Sequence, residues 1–142
     1  MRDVNHGLGY TVWQLQHRIQ RMLEREMSEF RVTLAQASAL ARLEEEPGMS
    51  SADLARHLLL SPQAVSLMIS RLEAAGHLVR TTATSGRSQP LAITESGQQV
   101  LGDAEKAVKR VRAAVFGDLG AGEQALLQQL LDRSLQTAKD CC

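Results

Sequence analysis

LLLSPQAVSLMISRLEAAGHLV, residues 58–79, is the stretch whose reading decides the fold. Ser61-Pro62 supplies a helix N-cap followed by proline at the first helical position, and Gly76 closes the helix. At 100° per residue, Val65, Met68, Ile69, Leu72 and Ala75 fall on one side and form a core face. Gln63, Ser66, Leu67, Ser70 and Ala74 fall on the other side, with Arg71 on its flank. A water-facing helix would carry Lys and Glu there; these residues are short and uncharged. Short groups allow close approach, and amides and hydroxyls can match donors and acceptors on base edges. A flanking arginine can hold a phosphate. The periodicity alone also fits a tight helical hairpin whose small-residue side packs on another helix.

Outward from this helix, the chain divides into recognisable elements. In "SSAD", Ser50 with Asp53 three residues on forms a capping box that opens a short helix to about His57. Ala55 and Val65, ten residues apart, have the spacing at which the two helices of a helix-turn-helix touch. Before them, a helix runs from an N-cap at Thr33 through Leu40 and Leu43 to Pro47-Gly48. Val12, Leu15, Ile19, Met22, Leu23, Met27 and Phe30 mark a long amphipathic helix ahead of that. Downstream, Leu78-Val79 and Leu91-Ala92-Ile93 flank a Thr/Ser/Gly-rich tip, the pattern of a β-hairpin with a long loop. Thr94 caps a helix from Glu95 to about Phe116. Gly117, Gly120 and Gly122 break it, and Leu126, Leu127, Leu130, Leu131, Leu135 and Ala138 line a last helix.

Composition narrows the function classes. The 142 residues suit one ordinary domain with its own core. With Tyr10, Trp13, Phe30 and Phe116 the only aromatics, that core is aliphatic and favours helices. No apolar leader and no long uncharged run occurs, so neither a signal peptide nor a membrane span is expected. Cys141 and Cys142, the only cysteines, cannot staple distant parts of a fold, which makes the cytoplasm the expected compartment. They read as a mobile tail rather than a redox switch. His6, His17, His57 and His77 do not cluster at ligand spacing, so no metal is expected. No nucleophile elbow, phosphate loop or paired catalytic carboxylate is present; neither an enzyme nor a cofactor is expected. The formal net charge is zero. Between Ser50 and Glu95, Arg56, Arg71, Arg80 and Arg87 outnumber Asp53, Glu73 and Glu95 by one, so a DNA reading rests on geometry rather than on bulk charge.

"TLAQASALARLEEEPGMSSADLARHL", "LSPQAVSLMISRLEAAGHLVR" and "SGRSQPLAITESG" occur in the order and spacing that make the chain resemble the multiple-antibiotic-resistance regulator (MarR) family. The resemblance implies a mainly α fold with a small β-wing: a winged helix-turn-helix lobe (33–95) between N-terminal (1–32) and C-terminal (96–142) dimerisation helices. It implies a homodimeric transcriptional repressor on a pseudo-palindromic double-stranded operator, released by a small phenolic or anionic effector. Carried over position by position, Ser61, Pro62, Gln63, Ser66 and Ser70 lie on the recognition helix. Arg71 corresponds to a phosphate clamp, Arg80 to a basic residue on the first wing strand, and Arg87 to the wing-tip arginine. Ser50 and Ser51 could receive a phosphate at a helix N-terminus. Trp13, His17 and Arg18 lie where relatives often line an effector pocket; the residues themselves also fit Trp13 packed at the dimer interface with His17 and Arg18 solvated. The competing class is a winged-helix module that binds a protein and not DNA.

Two positions depart from the family pattern. The wing tip reads Ser85-Gly86-Arg87 where relatives commonly have Asp-Gly-Arg, which removes a carboxylate that could hold the arginine. The turn inside the helix-turn-helix has Leu59 where glycine is common. If that position has positive φ, the leucine is strained by roughly 1 kcal/mol.

Overall fold

A computed structural model describes residues 3–81 and 90–141. Two compact units are present, Met1–Val108 and Lys109–Cys142.

In the first unit, α1 (Leu8–Met27) follows a 3₁₀ turn at Asp3–Asn5, and a second 3₁₀ turn covers Ser28–Phe30. The long first helix therefore ends three residues before Phe30; Ser28 turns back to donate to the Arg25 carbonyl (2.8 Å) and Arg31 adopts a left-handed conformation. α2 (Leu34–Glu45) opens on Thr33, whose hydroxyl accepts from the Gln36 amide while the Gln36 side chain accepts from the Thr33 amide. α3 (Ser51–Leu58) has the same reciprocal cap from Ser50 and Asp53. α4 (Pro62–Ala74) begins on Ser61, whose hydroxyl accepts from Ala64 N–H, with proline at the first turn as expected. These caps satisfy amides that a helix start otherwise leaves without partners.

The core is aliphatic and gathers α2, α3, α4 and the wing base. Leu40, Leu43, Leu54, Val65, Ile69, Leu72, Leu78 and Leu91 are buried in one cluster. Ala55 and Val65 lie in it together, as their ten-residue spacing predicts. Ala75, assigned to the core face by its helical angle, is exposed instead, because the helix stops at Ala74 and the chain turns away. Two short strands, β1 (Leu78–Arg80) and β2 (Leu91–Ile93), pair antiparallel with Leu78 opposite Ile93 and Arg80 opposite Leu91. β2 is held on its inner side by a bond from Leu91 N–H to the Met49 carbonyl (3.2 Å).

α5 (Glu95–Phe116) starts on Thr94 and α6 (Ala121–Cys141) on Gly120. In the second unit, Gln124 donates to the carbonyls of Phe116 and Leu119 (3.0 and 3.1 Å) and fixes the turn between them. Cys141, expected in the tail, is the last residue of α6 and is exposed. Ordinary i→i−4 bonding carries through that end, since "LQTAKDC" contains neither glycine nor proline to stop it.

Candidate nucleic-acid interface

α3 and α4 present a surface whose two sides differ sharply. On α4, Val65, Met68, Ile69 and Leu72 are sealed in the core, whereas Gln63, Ser66, Leu67, Ser70, Arg71 and Ala74 are all exposed. The amide-and-hydroxyl side is thus open along the helix, and it does not pack on a neighbouring helix of the described chain. Ser61 and Pro62 are exposed at its N-terminal end. Beside them lies an open hollow of about 530 Å³ lined by Ser51, Ala52, Ala55, Arg56, Leu59, Leu60, Pro62 and Ser66. One surface therefore holds Ser51, the helix-turn-helix turn and the first turns of α4.

The turn between the helices is left-handed at Leu59 (φ 55°, ψ 39°). Both Leu59 and Leu60 N–H groups reach the Ala55 carbonyl, which closes α3 and redirects the chain toward Ser61. Leu59 thus occupies a position with positive φ, the condition under which the sequence expects it to be strained.

Charge on this surface is held in local pairs. Ser50 N–H and Oγ both donate to Asp53 Oδ2 (3.0 and 2.8 Å), and Arg56 pairs with the other carboxylate oxygen. The Ser50 backbone bond, then its hydroxyl, hold the Asp53 carboxyl below its ordinary value; desolvation opposes them, and Arg56 adds to the lowering. Arg80, on β1, places Nε 3.3 Å from Glu73 Oε2 on α4. Arg71 has no ion-pair partner among the described residues. Arg87, with Ser85 and Gly86, lies outside the described residues.

A second group of contacts, not predicted from the sequence, fastens the end of α4 to the start of α5. Gly76 has φ 80°, and His77 N–H reaches back to the Leu72 carbonyl (2.9 Å). Thr94 Oγ1 donates to the Gly76 carbonyl (2.6 Å) and accepts from Gly97 N–H (3.1 Å); Thr94 N–H donates to the His77 carbonyl (3.1 Å). His77 Nδ1 lies 2.9 Å from Ser96 Oγ. A Cβ on Gly97 would stand 2.1 Å from the His77 carbonyl oxygen, so the approach requires glycine. The cap at Thr94 was legible, but its partners seventeen or more residues away were not.

Trp13 stacks between Tyr10 and His17 on α1, with ring centroids 5.7 and 5.8 Å away. Trp13, His17 and Arg18 are exposed and lie on one helix; they do not line the hollow at the helix-turn-helix. No group of His, Cys, Asp or Glu suited to a metal occurs among the described residues. No helix among them is long and apolar enough to cross a membrane.

A family model described as MarR family matches residues 32–88, which run from the start of α2 past β1 and stop short of β2. The HTH-type transcriptional repressor Rv2887 of Mycobacterium tuberculosis is 32% identical over 127 residues, covering 89% of this chain and 91% of the relative. The chain belongs to the MarR family. Among solved structures similar to this MarR-family chain is Rv2887 in complex with DNA, with TM-score 0.77 and 29% identity over 89% of this chain and 96% of that one. Rv2887 in complex with salicylic acid gives TM-score 0.74 and 31% identity over 93% and 98%. The mainly helical fold with a small antiparallel wing is accordingly the winged helix-turn-helix of that family.

Proposed function

We propose that this MarR-family chain is a homodimeric, sequence-specific repressor of transcription that binds a pseudo-palindromic double-stranded operator and leaves it when a small aromatic or anionic effector binds. The observation that carries this reading is the open, uncharged, hydrogen-bonding side of α4, on a helix whose opposite side is locked in the core. A rigid helix with short polar groups outward is what a major groove admits and what base edges can be matched against. The DNA complex of the related Rv2887 supports the same use of the fold.

In this reading Gln63, Ser66 and Ser70 face base edges, with Ser61 and Pro62 at the groove entrance. Arg71 and Arg80 meet phosphates, Arg87 reaches the minor groove, and Ser50 and Ser51 place the start of α3 against the backbone. Residues 1–32 and 96–142 supply the dimer helices, and 33–95 the DNA-binding lobe. Trp13, His17 and Arg18 offer aromatic surface and a cation to an effector such as an aromatic carboxylate, the class that salicylic acid represents for Rv2887. The protein acts in the cytoplasm, by binding rather than by catalysis. An effector that prefers a conformation with the wrong spacing of recognition helices lowers DNA affinity by that preference.

The test is enrichment of duplexes from a randomised pool by the purified protein, then affinity measured at stated salt. Gln63→Ala should cost about 1–3 kcal/mol on the best duplex and little on random DNA. Failure to enrich any duplex overturns the reading in favour of a protein-binding winged helix.

A further inference from the structure

The open side of α4 carries one large apolar side chain, which hydrogen bonding does not account for. Leu67 is 54% exposed, whereas its sequence neighbours Val65, Met68 and Ile69 are buried. The positions one turn away on either side are Gln63, Ala64, Ser70 and Arg71, all exposed, so no apolar cluster covers it. A single exposed leucine is ordinary on a protein surface. This one sits in the middle of the surface that must enter the groove, between Gln63, Ser66 and Ser70.

The floor of the major groove is polar except for one kind of projection, the 5-methyl group of thymine, which 5-methylcytosine shares. Packed against that methyl, Leu67 removes apolar surface of both partners from water. Packed against an unmethylated cytosine, it would cover an N4 amino donor that it cannot bond, which costs free energy. The side chain thus selects in both directions. We propose that Leu67 is a specificity-determining residue that reads a pyrimidine 5-methyl group, supplied by thymine, once in each operator half-site. The assignment rests on the DNA-binding reading above, and it adds a position and a base class to it.

The experiment starts from the best duplex enriched from a randomised pool by the wild-type protein. Each thymine is replaced in turn by deoxyuridine, which deletes only the methyl group. One position per half-site should then lose affinity about fourfold, the worth of one buried methyl. Leu67→Ala should bind the thymine and uracil duplexes equally, and Leu67→Met should keep the difference. With cytosine at that position, methylation at C5 should raise wild-type affinity by a similar factor. The assignment is overturned if no thymine is methyl-sensitive, if Leu67→Ala keeps the sensitivity, or if cytosine methylation changes nothing. The deoxyuridine scan on the wild type decides the matter even if a Leu67 variant fails to fold. If no duplex is enriched at all, the DNA-binding reading falls and this assignment with it; enrichment without methyl sensitivity removes only the assignment.

Discussion

Leu59 shows what a single backbone angle demands. Local preference in "LLLS" argues against a left-handed residue, because a leucine there brings its Cβ against the following carbonyl. The conformation persists because two amides converge on the Ala55 carbonyl and Ser61 must cap α4 immediately afterwards. At 74% exposed, the side chain gains little packing in exchange. Leu59→Gly should therefore stabilise the protein. Strain relief of about 1 kcal/mol is partly offset by the greater freedom of an unfolded glycine. A gain of about 0.5 kcal/mol and a rise of a degree or two in melting temperature are expected in thermal unfolding, with the urea dependence unchanged. An unchanged or lower melting temperature would show that Leu59 contributes packing that outweighs its strain.

Between elements, the caps and faces of the helices were legible in the sequence and the contacts joining different elements were not. Thr33, Ser50 and Ser61 each announce a helix start because the partner lies within three residues. The division of α4 into a buried and an open side follows from residue spacing alone. The fastening of Gly76 and His77 by Thr94, Ser96 and Gly97 depends on where the wing returns the chain, which no local pattern encodes. The pair between Arg80 and Glu73 is of the same kind: it forms only because β1 folds back beside α4. Glu73 is the one acid on that helix, and it gives the wing arginine an internal counterion. With both side chains about 40% exposed, the pair is worth less than about 1 kcal/mol, weak enough for a phosphate to replace Glu73. Glu73→Gln should raise affinity for any duplex by up to about fivefold and steepen the salt dependence by about 0.9 in log–log slope, one further phosphate contact. Titrations at several salt concentrations read both quantities. An unchanged slope would place Arg80 away from the DNA backbone.

At the scale of the molecule, a chain with zero net charge has little long-range pull on DNA, so its affinity must come from matched contacts doubled by symmetry. The leucines of α6 supply the means: Leu126, Leu130, Leu131 and Leu135 are between 38% and 55% exposed. On α1, Leu8, Val12 and Trp13 are exposed as well. Apolar surface of this extent on two helices is what a partner subunit covers. Sedimentation at micromolar concentration should therefore give twice the chain mass. Leu126→Glu combined with Leu130→Glu puts two carboxylates on the α6 stripe, one turn apart, and should yield a monomer with its helix content retained, because neither side chain belongs to the buried core. Operator affinity should then fall at least a hundredfold, toward the roughly micromolar or weaker range of non-specific binding, since one recognition helix spans one half-site. Circular dichroism separates this outcome from unfolding. A variant that stays dimeric with full affinity would show that α6 is not the joining surface, and a monomeric wild type would remove the twofold reading of the operator altogether.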